Sequence, residues 1–103
     1  MTVQIKFVQI LNSPKPEKLY MARFYDPNRN LVKTTHFGSK IGRNYTHHGD
    51  NDIKDAWLSR HRVREDWDDA TSPGALSRWL LWSFTSLSKS FKYYLKKFGY
   101  KEY

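Results

Sequence analysis

The chain contains no cysteine. That excludes disulfide bonds and thiolate metal ligands, and it fits a reducing compartment. Glycine and proline are sparse, five and four in 103 residues, and no linker, internal repeat or low-complexity segment is present. No apolar run approaches the roughly 20 residues of a spanning helix. Met1 to Ile10 carries Gln4, Lys6 and Gln9, not the basic-then-apolar plan of a secretion signal. The expectation is a protein that is not secreted and does not associate with membranes. Acidic residues are also few: 10 Asp and Glu against 18 Lys and Arg, for a net charge of +8 and a pI near 9.8. A surface of that sign attracts nucleic acid and acidic proteins. No basic tail stands apart, so any positive patch must be assembled by folding.

What the chain has in quantity is aromatic residues. Its mean hydropathy of -0.80 resembles that of a disordered chain. Seven Tyr, six Phe and four Trp argue against disorder, because aromatic rings bury a large area in a small volume. The length suits one domain, residues 1–103, with a modest core of its own.

The clearest local structure lies between Ser72 and Gly99. Ser72-Pro73 is a helix start, with Ser able to cap free amides and Pro preorganised for the first helical position. Leu76, Trp79 and Leu80 follow at helical spacing. Trp82 to Ser86 interrupts the pattern and offers Thr85 or Ser86 as a second cap. Leu87, Phe91, Tyr94, Leu95 and Phe98 then form one apolar stripe, and Gly99 stands where a left-handed cap closes the helix.

Earlier in the chain, Val3, Ile5 and Phe7 alternate with polar residues as in a half-buried strand. Val8 and Ile10 fall in the opposite phase, which predicts a bulge or burial on both faces. Turn chemistry at Ser13–Pro16 and Asp26–Asn30 separates this strand from two more, Leu19–Tyr25 and Leu31–Phe37. Asp50, Asn51 or Asp52 can cap a helix that runs to about Glu65. The fold class expected is α+β: an antiparallel sheet of about three strands, a β-meander over 2–37, a loop over 38–50, and helices over 51–65, 73–83 and 86–98.

With these segments in view, the chain resembles a family of small proteins of unknown function from giant nucleocytoplasmic large DNA viruses, including marseilleviruses. The resemblance rests on Leu19-Tyr20-Met21-Ala22-Arg23-Phe24, Lys33-Thr34-Thr35-His36-Phe37-Gly38 and Tyr45-Thr46-His47-His48. It continues through Arg60-His61, Glu65-Asp66-Trp67, Gly74-Ala75-Leu76-Ser77-Arg78-Trp79 and Leu81-Trp82, and covers roughly residues 19–98. It implies a viral setting: host cytoplasm or viral factory, with host nucleus or virion as further places. It implies no activity.

Three constellations bear on chemistry. Arg60, Arg62, Arg64, Lys89, Lys92, Lys96 and Lys97, with Lys40 and Arg43 from the loop, are side chains that contact phosphates; Tyr93 and Tyr100 can stack beside them. Lys89, Lys92 and Lys96 form a ridge on the last helix, and Arg60 and Arg64 a shorter one on the middle helix. The bland alternative is a solvated helix face. His36, His47, His48 and His61 are weak metal candidates without the compact spacing of a zinc site, and packed structural histidines are the better reading. Trp57 and Trp79 sit at core positions by periodicity, whereas Trp67 and Trp82 fall at helix ends, where one can serve as an exposed anchor for a partner. The glycines form no phosphate loop, since no Gly-Lys-Ser/Thr follows them.

The function expected is a non-enzymatic, basic viral protein that binds nucleic acid, DNA in the first place, without strong sequence specificity. It would act in genome packaging or the replication compartment, with no cofactor. The alternatives are a virus–host interaction protein that binds an acidic or nuclear host factor, or another viral protein, and a metal-dependent nuclease built on the histidines.

Overall fold

The computed structural model describes residues 4–40 and 44–103, apart from the side chain of His47. Three strands form a meander: β1 (Phe7–Asn12), β2 (Lys18–Tyr25) and β3 (Leu31–Ser39). β2 pairs antiparallel with both neighbours. The β1–β2 connection is drawn in by Ser13, whose hydroxyl accepts from Lys15 N and meets His36 Nδ1 at 2.8 Å. In the β2–β3 turn, Asp26 Oδ1 accepts from Asn28 N and Asn30 N, the local side-chain bonding that makes Asp a turn former.

The helical half follows. α1 (Tyr45–His48) is a single turn and α2 (Asn51–His61) is longer. α3 (Pro73–Leu76) runs directly into a π-helical turn over Ser77–Leu81, and α4 (Leu87–Phe98) comes last. Each long helix starts on a side-chain cap. Asp50 accepts from Asp52 N and Ile53 N, and Ser86 accepts from Lys89 N. Ser72 does the same for Ala75 N at the start of α3. Gly99 ends α4 in the left-handed region at φ 73°, where an L side chain is disfavoured.

The architecture is α+β, with four strands and a mixed sheet in place of three antiparallel strands. After Gly99 the chain turns back, and β4 (Lys101–Glu102) lies parallel to β1 at the sheet edge, giving the order β3-β2-β1-β4. Lys101 N donates to Lys6 O and Tyr103 N to Val8 O. Two residues are too few to show an alternation, so this strand leaves no mark in the sequence pattern.

Other boundaries shift as well. The first strand begins at Phe7, and Val3 lies outside the described residues. Its phase change is resolved by burial of both faces at Phe7 and Val8; the register irregularity lies instead at Phe24/Tyr25 opposite β3. The expected 38–50 loop is shortened by β3, which reaches Ser39, and by α1, for which Asn44 Oδ1 accepts from Thr46 N. The helix expected over 51–65 stops at His61, because Arg62 to Arg64 form a turn in which Arg64 N and Glu65 N both donate to His61 O. The 73–83 helix widens into the π-turn and ends at Leu81.

The core lies between the sheet and the helices. Val8, Ala22, Phe24 and Phe37 come from one sheet face, and Leu76, Leu80, Leu81, Trp82 and Tyr94 from the other layer. Leu87, Phe91, Leu95 and Phe98 pack at its margin, half-buried. The fully buried positions of α4 are Ser90 and Tyr94. The opposite sheet face carries Phe7 and Tyr25, buried apart from the main cluster.

Candidate nucleic-acid interface

The π-turn and α4 meet along a seam that brings cations and rings together. Successive residues of the wide turn diverge: Leu80, Leu81 and Trp82 go inward, while Arg78 and Trp79 stay partly exposed. Trp79 is fixed by its indole N–H, which donates to Trp67 O at 2.8 Å. Its ring carries two cations, the Arg78 guanidinium at 4.3 Å and Lys97 Nζ at 4.5 Å. Both distances fall within the reach of a cation–π contact. Beside it, Tyr93 is 43% exposed and Phe84 40% exposed, edge to face with centroids 5.7 Å apart. On α4, Lys89, Tyr93 and Lys97 follow at i, i+4, i+8, so one stripe of the helix alternates charge and ring along this seam.

Arg78 and Lys54 extend the seam on its other side. Arg78 Nη1 donates to Trp82 O and Ser83 Oγ, at 3.1 and 3.2 Å, and the guanidinium also stands over the Trp67 ring at 5.4 Å. Lys54 Nζ donates to Ser83 O at 2.9 Å. Two cations thus converge on one serine, and the charge of Asp55 offsets part of their repulsion at Lys54. Burial lowers the pKa of Arg78. Burial first, and the charge of Arg78 second, lower that of Lys54.

Acidic residues do not neutralise this surface. Among the described residues the one ion pair within 4.0 Å is His61 with Glu65, at 3.1 Å, and no lysine or arginine is paired. The acidic turn after α2 is internally engaged. Glu65 Oε2 accepts from Trp67 Nε1, Asp66 Oδ1 from Asp68 N, and Asp69 Oδ1 from Thr71 N.

The basic residues singled out in the sequence fall into separate groups. Lys89, Lys92, Lys96 and Lys97 are exposed together on α4. Arg60 is exposed near the end of α2, at the rim of a cleft of about 550 Å³ that Lys18, Trp57, His61 and Glu65 also line. Arg62 and Arg64 are exposed on the turn, past the end of the helix, and Arg60 and Arg64 line one shallow cleft with Ser59, His61 and Val63. α2 and α4 share at most a weak contact, and among the described residues none of the three main clefts is lined by both ridges. Lys40 is exposed beyond the end of β3, and Arg43 lies outside the described residues. Tyr100 is half-buried beside Tyr94, which leaves Tyr93 as the stacking tyrosine of this face.

Arg78, Lys54 and Phe84 were not legible as site residues. Arg78 reads as the polar position of a helix, and only the π-turn aims it between two indoles. Trp57 and Trp79 pack against the core, as their spacing predicts, and of the two helix-end tryptophans Trp67 is the more open. Trp82 is buried at 6% exposure, while Trp57, Trp67 and Trp79 keep part of their surface. Trp57 stacks on Trp82 at 4.7 Å and on His61 at 4.2 Å, which pins α2 to the body.

Each of the histidines His36, His48 and His61 has a partner of its own. His36 bonds Ser13, and His61 pairs with Glu65. His48 Nδ1 accepts from Asp50 N, with its ring against Trp82; the His47 side chain lies outside the described residues. Among the described residues no three metal-ligand side chains gather, and no helix is long and apolar enough to cross a membrane.

No curated protein and no solved structure matches the chain. A family model described as a family of unknown function matches residues 8–61, from β1 to the end of α2 and just over half of the sequence. On that match the chain belongs to the DUF5754 family, whose function is unknown.

Proposed function

We propose that this is a non-enzymatic nucleic-acid-binding protein of a large DNA virus, with little sequence specificity, that acts on DNA in genome packaging or in the replication compartment. The observation that carries the reading is Trp79 with both Arg78 and Lys97 over its ring, beside exposed Tyr93 and Phe84, on a surface where, among the described residues, no lysine or arginine has a carboxylate within 4.0 Å. Rings interleaved with unpaired cations suit a polyanion with stackable bases. Lys54 and Arg78 add an energetic argument. Both are partly desolvated and both bond Ser83, with Asp55 offsetting part of the repulsion at Lys54. An incoming phosphate relieves what remains. The acidic turn at 65–69 repels the same phosphates, so the strand runs along α4, away from Trp67.

The test is a salt series of fluorescence anisotropy on random-sequence duplexes. The parent binds at low salt, and affinity falls steeply as salt rises. The Lys92→Glu/Lys96→Glu variant lowers the log–log slope by about 0.9 for each phosphate it no longer neutralises. It weakens all sequences alike, because phosphates carry no base information. Tight binding with a flat salt dependence, or no binding at low salt, would sink the reading in favour of a protein partner in the host.

A further inference from the structure

The sheet has one face on the core. The other face is ordered in cross-strand rows, with Phe7 and Tyr25 buried and Gln9, Leu11, Met21 and Arg23 half-buried. Phe7 stands opposite Tyr25, Gln9 opposite Arg23, and Leu11 opposite Met21; β3 adds Thr34 beside Arg23 and His36 beside Met21. β4 sets Lys101 next to Phe7, and Tyr103 stacks on Tyr25 with centroids 3.8 Å apart and planes within 13°. Tyr103 is 44% exposed.

Arg29 reaches this cluster from the β2–β3 turn. Its guanidinium lies 4.4 Å from the Phe7 centroid and 5.2 Å from that of Tyr103. Arg29 is also the residue of the described chain that holds a left-handed backbone without being glycine, at φ 67°. That conformation is strained for a side chain with a Cβ, and glycine or asparagine is the residue that ordinarily fills it. Strain of this kind is kept where the side chain has a use. A glycine would close the same turn more easily, but it would leave the aromatic cluster without its cation.

The charge on this face has one sign. Arg23, Arg29 and Lys101 stand around the rings, and Lys6 Nζ approaches Phe7 at 5.5 Å. The Asp26 carboxylate in the same turn is taken up by backbone amides. Glu102 pairs with Val8 and so alternates onto the core side. Gln9 Oε1 accepts from Tyr25 OH at 2.9 Å, which fixes both side chains in the plane of the face.

We propose that this face is a second binding surface, separate from the α4 seam, and that its occupant is single-stranded nucleic acid. A base packs on the exposed part of the Tyr103 ring, and Arg29, Arg23 and Lys101 take the flanking phosphates. The face suits a single strand because an exposed ring among cations is a stacking surface for an unpaired base, and a duplex keeps its bases stacked inside. The proposal rests on the reading that the polyanion bound by this protein is nucleic acid.

The experiment compares labelled oligothymidylate with a random duplex, using parent, Arg29→Gly, Arg23→Gln and Lys92→Glu/Lys96→Glu proteins. Arg29→Gly leaves the melting temperature unchanged or higher, because the turn is relaxed. It weakens oligothymidylate binding by about fivefold or more and lowers its salt slope by about 0.7, the value for one phosphate of a single strand. Duplex affinity stays within twofold of the parent. Arg23→Gln, which leaves the turn untouched, acts in the same direction. If both variants bind oligothymidylate like the parent while the α4 variant abolishes it, the strand runs on α4 and this proposal is overturned. Duplex binding abolished with single-strand binding still sensitive to Arg29 would remove the α4 reading and keep this one. Failure of every protein to bind either probe at low salt removes both.

Discussion

At the residue scale, Tyr94 shows how one buried polar atom is accommodated. It is fully buried, and its hydroxyl donates to Ala70 O at 2.7 Å, which ties α4 to the segment before α3. Burial, with smaller contributions from Tyr100 and Asp69, pushes its pKa well above the ordinary range, and Tyr100 shifts the same way through burial and Asp69. The folded values are raised, so the stabilisation is complete below the unfolded pKa of about 10 and is lost as pH rises beyond it. Urea melts at neutral and alkaline pH should show the parent losing stability above about pH 10. Tyr94→Phe should cost about 1–3 kcal/mol at neutral pH, since Ala70 O is left unpaired, and should lose less than the parent at alkaline pH. Equal alkaline sensitivity in the two proteins would remove Tyr94 from that account. Gly74 makes a different residue-scale point. A Cβ there would meet the Glu65 side chain at 2.9 Å, so glycine permits the close approach from which Glu65 holds both His61 and Trp67.

At the scale of elements, α4 and the π-turn divide the work of packing. The caps Ser72, Ser86 and Gly99 and the stripe of α4 were legible, because capping chemistry and a 3.6-residue period are local properties. The π-turn was not, since an extra residue in a helical turn has no composition of its own. It changes which residues matter most. Leu80 is fully buried, whereas Phe91, on the stripe, is half-buried. Leu80→Ala should therefore cost about 2–5 kcal/mol, and Phe91→Ala less than the roughly 3–5 kcal/mol usual for a fully buried Phe. Chemical denaturation of the two variants measures this. A larger loss at Phe91 than at Leu80 would mean that α4, and not the π-turn, holds the centre of the core. α2 was read too long for a related reason. Val63, Arg64 and Glu65 continue a helical spacing, but no core lies beneath them, and Val63 is left 80% exposed.

For the whole molecule, the charge balance sets a condition on stability. With a net charge of +8 and no lysine or arginine ion-paired among the described residues, the folded chain repels itself. Salt screens that repulsion over about 10 Å at 0.1 M, so melting temperature should rise with added sodium chloride and rise further with a multivalent anion such as sulfate. A fall in melting temperature with salt would show that favourable pairs dominate. The sequence by itself determined the α+β class, the three-strand meander, the helix caps and the excess of positive charge, because each follows from local pattern or composition. Only the tertiary structure decided that α2 and α4, with their arginines and lysines, share at most a weak contact, that Arg78 and Lys97 share Trp79, and that Arg29 reaches the rings of Phe7 and Tyr103. β4 was decided there too. These are meetings of residues far apart in the chain, or bends only a residue or two long, and hydrophobic periodicity carries no information about either.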